Sequence, residues 1–136
     1  MGAPVVKIAI PALVLGLIAA CASYHPERKA ENFDRAERLL AGKVAGKPVS
    51  CVSLRGLEGN RSLESDRILF ETRGALLYVN RLRDSCLTLN LGRALRTNSR
   101  SGLLCQDDVV SVFDPQTGAT HGECALGAFI PYRRAP

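Results

Sequence analysis

Five cysteines, Cys21, Cys51, Cys86, Cys105 and Cys124, constrain this chain of 136 residues more than any other feature. The last four follow one another at separations of 35, 19 and 19 residues. Zinc sites usually draw two ligands from one tight turn, and a thioredoxin-like dithiol needs a Cys-x-x-Cys pair, so the spacing argues against both. Structural disulfides are the better reading for cysteines placed like this. An odd total then requires that one cysteine have another fate, because a leftover thiol is awkward in an oxidising compartment.

The amino-terminal segment supplies a candidate for the odd one. A short start carrying Lys7 leads into an apolar stretch from Ile8 to Ala20, after which Ser23-Tyr24-His25-Pro26-Glu27 turns polar. Thirteen residues reach only about 20 Å as a helix, short of the roughly 30 Å hydrocarbon thickness of a bilayer. Pro11 and Gly16 interrupt the stretch as well, so an export signal is expected in place of a permanent span. The tetrad Ile18-Ala19-Ala20-Cys21 resembles the bacterial lipobox, in which an aliphatic and two small residues precede a lipidated cysteine. The resemblance implies cleavage between Ala20 and Cys21, a diacylglycerol thioether on Cys21, and a further acyl chain, of the palmitate class, on the new amino terminus. Stable anchoring takes more than one acyl chain, and this arrangement supplies it. The alternative is an ordinary cleaved secretion signal with a chance cysteine at its end. Assigning Cys21 to lipid leaves an even set of four. In Gram-negative sorting Asp after the lipidated cysteine favours the inner membrane; Ala22 stands here, which implies the outer membrane, facing the periplasm.

The expected organisation is a signal peptide at 1–20, a lipidated tether at 21–26 and a single small domain at 27–136. The mature part has one domain's length and carries 17 basic against 13 acidic residues, a mild net charge of +4. Arginines are scattered from Arg28 to Arg134, although Arg61 with Arg67, or Arg81 with Arg83, could share a strand face. There is no Trp and only seven Phe and Tyr. A basic face interleaved with aromatics, as a nucleic-acid partner would require, is therefore not expected.

Residues Pro26 to Ala41 read as one helix, with Ala30, Phe33, Ala36 or Glu37, and Leu40 at helical spacing and Gly42 as a stop. Glu31 with Arg35 and Asp34 with Arg38 lie four apart on its exposed face. The apolar stripe is thin, so the helix should lean on the domain. Beyond the linker Gly42 to Pro48, strands are expected at Val49 to Leu54, Ser62 to Ser65, Ile68 to Thr72, Ala75 to Asn80, Val109 to Phe113 and Ala128 to Tyr132. Arg73-Gly74 and Asp114-Pro-Gln-Thr-Gly118 are the clearest turns. Leu87 to Leu103 has no readable pattern. The expected class is α+β, mainly β: an amino-terminal helix at 27–41, then a β-rich part at 49–132 forming a small antiparallel barrel or sandwich stapled by two disulfides.

Four cysteines allow three pairings. Cys86 with Cys105, closing the unreadable segment, and Cys51 with Cys124, joining the first strand region to the last, are the pairs expected. No catalytic constellation is visible. His25 sits in the expected tether and His121 follows the Asp114 to Gly118 turn, so no Ser-His-Asp or Cys-His arrangement is visible, and Glu58, Glu64, Asp66, Glu71, Asp84 and Glu123 are dispersed. Asp107-Asp108 could suggest a cation site, but neighbours on a strand point to opposite faces, so a turn or strand-entry role is preferred. No phosphate-loop pattern, metal ligand set or cofactor motif occurs.

The runs Pro48-Val-Ser-Cys51-Val-Ser-Leu54, Tyr78-Val-Asn80-Arg-Leu82-Arg-Asp-Ser-Cys86, Leu104-Cys105 and Cys124-Ala-Leu-Gly127-Ala-Phe129-Ile-Pro131-Tyr132 resemble an uncharacterised family of small proteobacterial lipoproteins built on a domain of unknown function. The likeness covers most of the mature chain. It implies an envelope location and a cysteine-stapled fold, and carries over no catalytic or binding residue. The functional expectation is an envelope accessory, binding or structural module, held to the membrane through lipid on Cys21 and able to meet an envelope protein partner. A small periplasmic hydrolase is the alternative, to be favoured by a deep pocket lined by several of the carboxylates or by His121. An enzyme inhibitor is another, with the Cys86 to Cys105 segment as its exposed loop.

Overall fold

A computed structural model describes Gly2, residues 26–91 and residues 93–136. The expected signal at 1–20, the cleavage point between Ala20 and Cys21, the lipidated Cys21 and all of the tether except Pro26 lie outside the described residues.

Helix α1 spans Pro26–Leu40 and ends one residue before the expected Ala41. The Ala41 amide still donates to the Glu37 carbonyl at 3.0 Å, and Gly42 then takes φ +70°, a left-handed stop that glycine adopts at little cost. Only the second half of the predicted stripe is packed: Ala36 is buried and Leu39 and Leu40 are half-buried, whereas Ala30 and Phe33 stay exposed. The helix leans on the domain by its carboxy-terminal half.

Ten strands follow: β1 (Lys43–Ala45), β2 (Cys51–Ser53), β3 (Leu57–Ser62), β4 (Arg67–Thr72), β5 (Leu77–Arg81), β6 (Ala94–Arg96), β7 (Leu103–Cys105), β8 (Val109–Phe113), β9 (Thr120–Ala125) and β10 (Phe129–Arg134). They form an antiparallel five-stranded sheet in the order β1-β10-β5-β4-β3, a two-stranded ribbon β2-β7 and a three-stranded sheet β6-β8-β9. The architecture is mainly β and sandwich-like, and among the described residues the sheets do not close into a barrel.

Period-two alternation explains why β4 is apolar at consecutive positions. Ile68, Leu69 and Phe70 are all buried because both faces of the large sheet are covered. Leu69, Leu77 and Val79 face α1 and form a small core with Ala36 and Leu63. Ile68, Phe70 and Phe129 face the other way, into the main core with Val52, Leu95, Leu104, Val110, Val112 and Leu126. The rings of Phe70 and Phe129 lie 5.6 Å apart, and full burial of side chains this large stabilises the fold by about 1.5–3 kcal/mol each.

The edges of the two larger sheets are joined by side chains in place of a continuous ladder. The register puts Asn60, Ser62 and Asn80 on the same inner face as Ile68 and Phe70. Asn60 and Ser62, on the edge strand β3, capture backbone at and just before β6, and Asn80, on the central strand β5, captures the connection from β9 to β10. The Asn60 amide donates to the Leu95 carbonyl at 3.1 Å and accepts from the Leu95 N–H at 3.0 Å. The Asn80 amide does the same with Gly127, at 2.8 and 3.0 Å, and the Ser62 hydroxyl donates to the Arg93 carbonyl at 3.2 Å. Backbone groups that would otherwise be buried without partners are thus satisfied.

Several expectations are corrected. The Ser62 to Ser65 strand is the end of β3 and the bend after it, the linker Gly42 to Pro48 contains β1, and Leu54 begins a 3-10 turn. The expected Cys86–Cys105 and Cys51–Cys124 bonds are replaced by an interleaved pair, Cys51–Cys105 and Cys86–Cys124, with Cα separations of 4.0 and 6.0 Å. The cause is register. Cys51 and Cys105 stand directly opposite each other in the β2-β7 ribbon, and pairing of Val110 with Cys124 in β8-β9 turns Cys124 into the main core beside Cys86.

Candidate functional site

Of three openings among the described residues, the most polar lies where the ribbon meets the loop that precedes β7. Residues 97–102 run Thr-Asn-Ser-Arg-Ser-Gly, too polar and too short-branched to enter the core, and Gly102 at φ +75° turns the chain into β7. The Ser101 hydroxyl accepts from the Leu103 N–H at 3.3 Å and lies 3.1 Å from the Ser99 hydroxyl, which holds the loop over the strand. Beneath it is a cleft of about 410 Å³ lined by Asn98, Ser99, Arg100, Ser101, Leu104, Cys105, Asp108 and Val109.

The far wall is the turn from β7 to β8. Asp107 adopts φ +72°, a left-handed conformation that Asp tolerates better than most residues. The Asp108 carboxylate accepts from the Cys105 N–H at 2.7 Å, and the Asp107 N–H donates to the Leu126 carbonyl at 3.0 Å. Asp107 also forms an exposed ion pair with Arg83, whose guanidinium is pushed above its ordinary range first by that hydrogen bond and then by the charge of Asp107. The two aspartates therefore shape a turn and point to different partners.

Two further openings are more apolar. A groove of about 390 Å³ beside α1 is lined by Phe33, Ala36, Glu37, Leu40, Ala41, Leu63 and Arg67. A cleft of about 330 Å³ at the β3 to β6 seam is lined by Leu54, Leu57, Glu58, Gly59, Asn60, Phe70 and Thr97.

The dispersed carboxylates are mostly brought to arginines and not to one another. Glu71 pairs with Arg61 and, at 3.7 Å, with Arg35 of α1; Glu64 meets Arg67 at 2.9 Å, Asp66 the same arginine at 3.9 Å, and Glu58 meets Arg73 at 3.8 Å. Neither Arg61 with Arg67 nor Arg81 with Arg83 makes an unbalanced basic face, since Arg61, Arg67 and Arg83 each face a carboxylate. His121 is half-buried on β9, and Asp84 and Glu123 are exposed. None of the three openings brings together two carboxylates or includes His121. Among the described residues no three His, Cys, Asp or Glu side chains are grouped to hold a metal ion, and no helix is long and apolar enough to cross a membrane.

Sequence reasoning missed the cleft because its walls come from a segment without periodicity. The only available signal was the polar Asn98 to Gly102 run, which marks a loop without assigning it a role. No protein-family model, curated protein or solved structure matches the chain.

Proposed function

We propose that the chain is a lipid-anchored periplasmic module of the bacterial envelope, tethered through Cys21 and serving an accessory, binding or structural role. The observation that carries this reading is the cysteine balance. Cys51, Cys86, Cys105 and Cys124 pair with one another, leaving Cys21 as the fifth, at the end of an apolar segment and within a lipobox-like tetrad. Disulfides persist in oxidising compartments, which fits export. Ala22 after Cys21 favours the outer membrane, and the likeness to small proteobacterial lipoproteins supports an envelope location.

The openings favour a module over a hydrolase, because none holds more than one carboxylate and none includes His121. The inhibitor alternative has less support, since no bond joins Cys86 to Cys105 to close that segment into a rigid loop. Metabolic labelling with a fatty-acid analogue tests the anchoring. The wild type is expected to carry label and to sediment with membranes, and Cys21→Ser to do neither. Equal labelling of both proteins refutes the proposal.

A further inference from the structure

The two disulfides occupy opposite environments. Cys86 and Cys124 are both buried in the main core, among Leu89, Val110 and Leu126. Cys51 is exposed and Cys105 is half-buried on the wall of the 410 Å³ cleft. The strands that carry this second pair have three residues each, and their ladder is a ribbon of β2 and β7 alone. A two-stranded ribbon is marginal by itself, so the covalent bond holds what the hydrogen bonds hold weakly.

Thiol–disulfide exchange requires an attacking thiolate to reach one sulfur, so its rate follows access. We propose that Cys51–Cys105 is a reducible clasp, a site of exchange with dithiol reductants, whereas Cys86–Cys124 is a permanent structural link. In the first step a thiolate of the dithiol attacks Sγ of Cys51, the Cys51–Cys105 bond breaks, and Cys105 leaves as a thiolate that takes a proton from water. The second thiol of the reductant gives up its proton and attacks the mixed disulfide, and Cys51 departs and is protonated in turn. Two electrons pass from the dithiol, which becomes a disulfide, to the protein pair, which becomes two thiols.

The ribbon covers the main core through Val52 and Leu104. Opening the clasp frees those two side chains and loosens the wall of the cleft. Cleft shape and redox state are thereby coupled, which extends the proposed module with a control element and does not depend on lipidation.

The test is graded dithiothreitol on the oxidised full chain under native conditions, followed by alkylation and peptide mapping. Cys51 and Cys105 are expected to be labelled at least about tenfold faster than Cys86 and Cys124, because buried sulfurs react only after unfolding. A common rate for all four, or earlier labelling of Cys86 and Cys124, overturns the proposal. Hydrogen exchange on the half-reduced protein reads the clasp itself. Protection should fall across 51–53 and 98–109 and persist in β4 and β5. Unchanged exchange at 98–109, or loss of protection in β4 and β5, also overturns it.

Discussion

Asn80 gives the sharpest test of how the layers are joined. Its side chain is fully buried, and its amide makes two bonds to the backbone of Gly127, 47 residues away. Asn80→Ala removes both and leaves one N–H and one C=O without partners in a closed seam. Each such group costs about 1–3 kcal/mol, so a loss of about 2–5 kcal/mol is expected, a large part of the 5–15 kcal/mol that holds typical domains together. Urea unfolding of the oxidised protein measures it, and with a slope of about 1.5 kcal/mol/M the midpoint should fall by roughly 1–3 M. Asn60→Ala removes the same pattern of bonds at a half-buried site, where water replaces them, and should cost about 1 kcal/mol. Asn80→Asp adds a pH signature. A protonated carboxyl can donate to the Gly127 carbonyl and accept from its N–H, as the amide does, whereas burial penalises the carboxylate and raises the folded-state pKa. Stability is then greatest below the unfolded carboxyl value of about 3.9 and falls as pH rises through the raised folded value, by about 1.4 kcal/mol per unit of separation. Asn80→Ala and Asn60→Ala losing the same stability, or Asn80→Asp showing no decline between pH 4 and pH 7 relative to wild type, refutes the reasoning.

Gly127→Ala should be harsher than a substitution at any other described glycine, because a Cβ there overlaps the Arg81 carbonyl, a backbone atom that cannot step aside; Gly59→Ala, with open space, is the control, and thermal melting should separate them by about 3 kcal/mol or more. At the β8 to β9 turn, Gly118 at φ +74° donates its N–H to the Asp114 carbonyl at 2.7 Å, and the Asp114 carboxylate accepts from the Gln116 N–H at 2.8 Å. Gly118→Ala is expected to cost about 1–2 kcal/mol from the left-handed backbone alone, and no measurable shift in its melting temperature would contradict that turn geometry.

Legibility followed hydrophobic pattern and failed where structure depends on distant partners. Val109 to Phe113 was readable as a strand because Val110 and Val112 alternate into the core, and Gly42 and Gly118 marked a helix end and a turn by the left-handed backbone those places require. Strand β9, by contrast, reads Thr-His-Gly-Glu-Cys-Ala: it is the outer strand of its sheet, mostly exposed, and buries only Cys124. Strand β6 buries a single leucine and is held by Asn60 from 35 residues upstream, a bond that no local window contains. Nothing in Asn60 or Asn80 announces a clamp; each becomes one only after the register turns it inward. The cysteine pairing failed for the same reason, since nested and interleaved connectivities differ only in which long-range strands meet.

Loop closure alone does not distinguish the two disulfides. With sequence separations of 54 and 38 residues, restriction of the unfolded chain yields about 4 kcal/mol for either bond. The distinction comes from what replaces the sulfurs. Cys51→Ala with Cys105→Ala leaves an exposed and a half-buried site that water can fill, so the loss should stay near that entropic value. Cys86→Ala with Cys124→Ala also leaves two small voids in the main core, each costing about 1 kcal/mol, for a total nearer about 6 kcal/mol. Equilibrium unfolding of the two double variants should therefore rank the buried pair as the more damaging loss, despite its shorter loop. The reverse order would mean that the ribbon, and not the core, is where covalent closure matters most, and the division between a permanent link and a releasable clasp would have to be abandoned.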